Sequence, residues 1–182
     1  RRVLFRSPQF LLYALVIQVG LNLGANAELG KMVKDIRFSS LLLPFFTIIG
    51  TLVFSAAASL LLTSWNIYDC MAVGSGFAYY SLSSLLIVQL KEASAGIEIA
   101  SQLGAIALLA NIIREMLALF GAPLYASFFG KFAPVSVAGI NSMDVCLPVI
   151  SRYSGKSIVP VAIIHGIILE ISVPLLISLF CK

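Results

Sequence analysis

Arg114, Glu115 and Asp144 are ionisable residues set within stretches otherwise apolar enough to lie in a lipid bilayer. A charge at that depth costs at least about 2.5–3.5 kcal/mol. A chain keeps it only where a bundle interior or a wet cavity receives it, so these three residues are the first candidates for a solute or proton pathway. In Asn111-Ile112-Ile113-Arg114-Glu115 the asparagine lies three and four residues ahead of the two charges, which lets all three face one side of a helix. The forked donors of a guanidinium match the two oxygens of a carboxylate, while Glu115 can accept an ammonium group or a proton. The competing reading is that Arg114 and Glu115 neutralise each other or neighbouring charges. Gly139, Asn141, Ser142 and Pro148 crowd Asp144 in a second stretch. A helix broken there would expose backbone groups to a solute or ion, as discontinuous helices do in many secondary transporters. A helix cap at a re-entrant tip is the alternative.

Three further places carry polar groups. Gly74 to Ser84 reads GSGFAYYSLSS; continued as one helix it puts Ser75, Tyr79 and Ser83 on one stripe and Gly76, Tyr80 and Ser84 on the next. Those stripes suit either a cavity lining or the close helix packing that small and hydroxyl residues give in membranes. His165, the single histidine, stands beside Gly166 and reads as a hydrogen-bonded packing residue or a proton relay. Glu170, ahead of Pro174, is placed to face a lumen, with Asn22 and Asn26 as weaker candidates of the same kind. Cys70, Cys146 and Cys181 share no metal or redox spacing and read as small apolar fillers. No metal and no organic cofactor is implied.

The elements that must position these groups are long apolar runs. The 182 residues are 60% hydrophobic and 11% charged, with a mean hydropathy of +1.03. Soluble domains carry about 25% charge, so the chain reads as an integral, multi-pass, all-α bundle. At about 20 apolar residues per span it divides into about six segments: Phe10 to Ala27, Phe38 to Thr63, Cys70 to Leu90, Ile97 to Phe120 (ended by Gly121 and Pro123), the short and interrupted Pro134 to Ile150, and Val159 to Phe180. One or more of these, around the fourth and fifth, is expected to be broken or re-entrant. Strict alternation groups Lys31, Lys34, Arg37, Lys91, Arg152 and Lys156 on the cytoplasmic side and leaves Lys131 and Lys182 outside, in keeping with the positive-inside rule. Trp65 and Tyr68 then anchor the outer interface.

The formal charge of +4 overstates the basicity. Arg1 to Ser7, RRVLFRS, matches the translation of a common sequencing adapter, so the natural protein is expected to begin at or after Pro8. Residues 8–182 then form one transmembrane domain, expected to be the C-terminal part of a larger transporter. Without Arg1, Arg2 and Arg6 there are nine basic against eight acidic residues, and no nucleic-acid reading survives.

In the order and spacing of SGFAYYSLSS (Ser75–Ser84), NIIRE (Asn111–Glu115), SMD and LPVI (Ser142–Ile150) and VPVAIIHGI (Val159–Ile167), the chain resembles the lysine exporter (LysO) family of prokaryotic membrane transporters. The resemblance covers nearly everything from Leu11 to Phe180. It implies export of L-lysine, and of lysine analogues, across the cytoplasmic membrane, and places intramembrane acids needed for transport at Glu115 and Asp144. It also implies upstream helices that this chain lacks, supplied by a missing N-terminal half or a separate short subunit. Lysine carries two ammonium groups and one carboxylate. Glu115 and Asp144 can meet the former, and Arg114 or a broken-helix N-terminus the latter. Proton binding at either acid would weaken the hold on lysine, which suggests proton antiport. The polar set expected around that pathway is Asn111, Asn141, Ser142, Tyr79, Tyr80, Ser83 and His165 with the three charged residues. The alternatives are export of another small charged solute, or a non-transporting subunit of a membrane complex. An intramembrane protease is disfavoured because neither Ser75 nor His165 has an orienting partner and Asp144 lacks the Gly-x-Gly-Asp motif.

Overall fold

Twenty-two residues separate Asp69 from Lys91, yet their side chains meet at 2.6 Å. In one straight helix they would stand about 33 Å apart, beyond the reach of any two side chains. The apolar run that reads as a single span from Cys70 to Leu90 is therefore folded back on itself. In the computed structural model, which describes Ile17, residues 38–62 and residues 64–181, this stretch is α2 (Ile67–Gly74), a buried tip at Ser75–Tyr79, and α3 (Tyr80–Ala95). Asn66 starts α2 by accepting the Asp69 N–H at 2.8 Å on its side chain. The ion pair closes the open end of the hairpin.

Three long apolar helices frame it: α1 (Phe38–Ala58), α4 (Ile97–Phe129) and α7 (Val159–Phe180). Between α4 and α7 the fifth apolar segment is interrupted as its composition suggests. It consists of α5 (Ala133–Ala138), a 3-10 turn at Gly139–Met143, three turn residues, and α6 (Leu147–Ser154). Val135 and Ala138 share one apolar cluster with Cys146 and Ile150 against Ala118 of α4, so this segment also doubles back.

Two cores stack end to end along the framing helices. One gathers Leu82, Leu86 and Ile87 of the first hairpin with Leu103, Leu169, Val173 and Ile177. The other gathers the second hairpin with Ala118, Ile158 and Ala162. The hairpins thus enter the bundle from opposite ends, with their tips meeting between the cores. Leu42, Phe46, Phe54, Leu109, Phe120 and Leu175 point outward, which is how helices facing hydrocarbon are composed. All the described secondary structure is helical.

Several expectations change. The stripes Ser75/Tyr79/Ser83 and Gly76/Tyr80/Ser84 do not form, because the helix stops at Gly74 and restarts at Tyr80. The fourth segment is not ended by Gly121 and Pro123; α4 runs on to Phe129. A proline inside a membrane helix removes one bond without breaking the helix where neighbours cover the gap. Apart from Ile17, segment one lies outside the described residues, as do Asn22, Asn26, Lys31, Lys34, Arg37, Lys182 and the adapter-like Arg1–Ser7.

Candidate functional site

The two tips touch through their backbones. Ile140 N–H donates to Phe77 O at 3.0 Å, and Asn141 Nδ2 donates to Ala78 O at 3.4 Å. Gly139 makes this crossing possible: its φ is +62°, and a Cβ there would collide with the Phe77 carbonyl. On the other side of the contact Phe77 and Ala78 have φ of 45° and 72° while fully buried. Left-handed conformations cost L-residues of order 1–2 kcal/mol each. Two in succession at a buried crossing mark a place where the fold stores strain, as functional sites do.

One turn of α4 secures both tips. Asn111 Oδ1 accepts the Ala78 N–H at 2.7 Å. Its Nδ2 reaches Ala107 O at 2.8 Å, Ser83 Oγ at 3.3 Å and Val73 O at 3.4 Å. The asparagine therefore holds the end of α2, the strained tip and the start of α3 together. Three residues on, Arg114 Nε donates to Val137 O at 2.9 Å and its Nη2 to Ser136 O at 3.0 Å, capping the open carbonyls of α5. The guanidinium also lies 5.7 Å from the Phe77 ring centroid. Arg114 makes no ion pair with Glu115 or with any other described acid; Asp69–Lys91 is the one ion pair among the described residues. The reading in which Arg114 and Glu115 neutralise each other is not what the geometry shows.

Glu115 is only 8% exposed and has neither hydrogen bond nor ion pair among the described residues. Asp144 is exposed on the described residues, at the residue that ends the 3-10 turn. Ser142 and His165 are fully buried. Ser142 Oγ donates to Ala162 O at 2.9 Å and lies 3.2 Å from His165 Nδ1, while His165 Nε2 is 3.0 Å from Thr47 Oγ1. With the serine proton given to Ala162, a neutral ring donates from Nδ1 and accepts from Thr47 at Nε2. The histidine so braces the second tip against α1.

Ser83 is buried near the start of α3, Tyr79 is half-buried and Tyr80 is exposed. The three cysteines are free and buried. Thr47, Thr51 and Ser55, spaced by four on α1, form a hydroxyl stripe that sequence reasoning passed over. Thr47 Oγ1 also lies 2.9 Å from Leu43 O and 3.1 Å from Ser136 Oγ, and all three residues line the space between α1 and α4.

Broken helices whose tips meet inside an apolar bundle, beside buried ionisable groups, are the device by which secondary transporters build solute sites. Comparison with known proteins gives the same class. A sequence model described as "Lysine exporter LysO" matches residues 4–181, and the chain belongs to this family of transporters, which are not enzymes. It is 28% identical to "Lysine exporter LysO" of Escherichia coli (strain K12) over 176 residues, covering 96% of this chain and 54% of that protein. It is also 28% identical to a Haemophilus influenzae (strain ATCC 51907 / DSM 11121 / KW20 / Rd) protein named "Putative lysine exporter" over 174 residues, 96% of this chain and 84% of the relative. The chain thus spans about half the length of the first of these relatives. No solved structure matches it significantly.

Proposed function

We propose that these residues form a pathway for export of L-lysine across the plasma membrane of a prokaryote, with Glu115 and Asp144 receiving the cationic groups of the cargo. The observation that carries this reading is Glu115, 8% exposed and without a hydrogen bond or ion pair among the described residues. Asp69, a comparably buried acid, is matched by Lys91. A carboxylate at this depth without a protein partner leaves its acceptor oxygens free for an ammonium group or a proton. Exchange of one for the other is proton/lysine antiport.

In the membrane, α1, α4 and α7 span, and the two hairpins are re-entrant from opposite faces. The face carrying Lys131, Arg152 and Lys156 is cytoplasmic by the positive-inside rule. Lys91 moves to the outer face, where Asp69 balances it. A missing N-terminal half or a short subunit would complete the pathway.

The test is lysine efflux from cells loaded with lysine–alanine dipeptide and lacking their own exporter, using the protein with its complete natural sequence. Efflux should occur, and Glu115→Gln or Asp144→Asn should reduce it at least about tenfold, the loss expected when a charge-assisted contact goes. Full efflux in both variants would remove the carboxylates from the pathway. No efflux from well-inserted natural protein would remove lysine as the cargo.

A further inference from the structure

Arg114 is the complement of Glu115: a cation inside the bundle with no acid beside it among the described residues. Its guanidinium has five N–H donors, of which Nε and one on Nη2 go to Val137 O and Ser136 O. Three N–H groups have no acceptor among the described residues. Arg114 lines a space with walls of its own. A cavity of about 260 Å³ lies between α1, α2 and α4, and a wider groove of about 860 Å³ continues from it along α1 toward the second hairpin. Both are lined by Arg114, Thr51 and Ser55. Neither of these two hydroxyls has a side-chain hydrogen bond among the described residues, in contrast to Thr47 on the same stripe. Gly74 lets α2 pass directly over Ser55, where any side chain would collide with the hydroxyl. The rest of the lining is apolar, with Leu103, Ile106 and Trp65 toward the outer end.

From this arrangement we infer that Arg114, Thr51 and Ser55 form a seat for a carboxylate, and that the seat takes the carboxylate of the amino-acid cargo. The inference rests on the lysine-export reading and adds to it the part of the cargo that is selected. A fixed guanidinium with paired donors free is matched to two carboxylate oxygens, and two hydroxyls opposite it can donate to the lone pairs that remain. The same cation repels both ammonium groups. The cargo therefore lies with its carboxylate toward the α1–α4 groove. Arg114 and Glu115 are consecutive on α4 and so point about 100° apart, which separates the two ends of a dipolar solute. Diamines of the same length, lacking the carboxylate, find a bare cation where lysine finds a partner.

The experiment is lysine counterflow in proteoliposomes holding the protein with its complete natural sequence, competed by L-lysine, cadaverine and lysinamide. The natural protein should be competed about tenfold or more less well by cadaverine and lysinamide than by lysine. Thr51→Val with Ser55→Ala, a change that removes no described hydrogen bond, should raise the half-saturating lysine concentration several-fold and shrink that discrimination. Cadaverine competing as well as lysine in the natural protein, or an unchanged half-saturation and discrimination in the double variant, would overturn the seat and leave lysine export standing. Absence of lysine counterflow in the natural protein would overturn the export reading and the seat with it. Arg114→Gln is the weaker probe, because it also releases the α5 carbonyls.

Discussion

Asn111 commits its whole side-chain amide to the first tip, so its removal should be felt as lost stability before lost selectivity. In Asn111→Ala the Ala78 N–H is left buried without an acceptor, at a cost of about 1–3 kcal/mol. The thermal midpoint of the purified protein in detergent should fall by roughly 5 °C. Gly139→Ala should do more, since it combines the positive φ with a collision at Phe77 O; poor accumulation in the membrane is the expected result. A Gly139→Ala protein as stable as the natural one would mean the tips do not cross there. The chemistry at this scale was largely legible. Asn111, Arg114, Glu115, Asn141, Ser142 and His165 are polar residues in apolar runs, and burial makes such residues conspicuous. What each does was less so. Arg114 and Asn111 face partners that come from other segments, and no spacing within NIIRE reveals a carbonyl of Ser136. The hydroxyls at 47, 51 and 55 did leave a period-four signal in segment two, muted because single threonines and serines are cheap in any membrane helix.

At the scale of elements, the hairpin of α2 and α3 is the feature a hydropathy reading loses. Residues 70–90 have the length and composition of one span, and nothing in a window average distinguishes a helix that crosses from one that turns back. The cue lay in the flanks, where Asp69 and Lys91 bracket the run with opposite charges. Breaking a buried pair by neutralising one partner costs about 3–5 kcal/mol, whereas replacing both with apolar residues of similar size is often neutral. Lys91→Met alone should therefore destabilise the protein, and Asp69→Leu with Lys91→Met should restore most of the loss, as read by thermal stability in detergent. Equal stability of the single and double variants would deny that the two ends of the hairpin meet. The second hairpin was easier to foresee. Gly139, Asn141, Ser142 and Pro148 interrupt its apolar pattern, whereas the first tip is hidden in Phe77-Ala78-Tyr79-Tyr80, where only the glycines hint at a turn.

Among the described residues, two hairpins inserted from opposite ends between three long helices bring their tips together between the two cores, where the proposed solute site lies. Neither tip crosses the bundle alone. In the proposed pathway, alternating access would require the hairpins to part at the Phe77–Gly139 contact toward one face at a time. The proposed topology changes the sidedness expected of two loops. Strict alternation over six spans sends Lys91 inward and Lys131 outward, but a hairpin returns the chain to the face it left, which exchanges the two. The basic residues Lys131, Arg152 and Lys156 then share one face, and the positive-inside rule is satisfied as well as with alternation, three described basic residues against one in either case.

Sidedness is the most direct test of this architecture, on which the meeting of the tips depends. Single cysteines would be placed at the exposed positions Tyr68, Ala93, Lys131 and Ser157, in a background without Cys70, Cys146 and Cys181, and labelled in intact cells with a membrane-impermeant maleimide. The proposed topology predicts labelling at 68 and 93 from outside, and at 131 and 157 only after the cells are opened. Labelling of 68 and 93 from opposite faces would contradict it, because α2 and α3 would then cross the membrane and their tip could not meet the second hairpin in the middle.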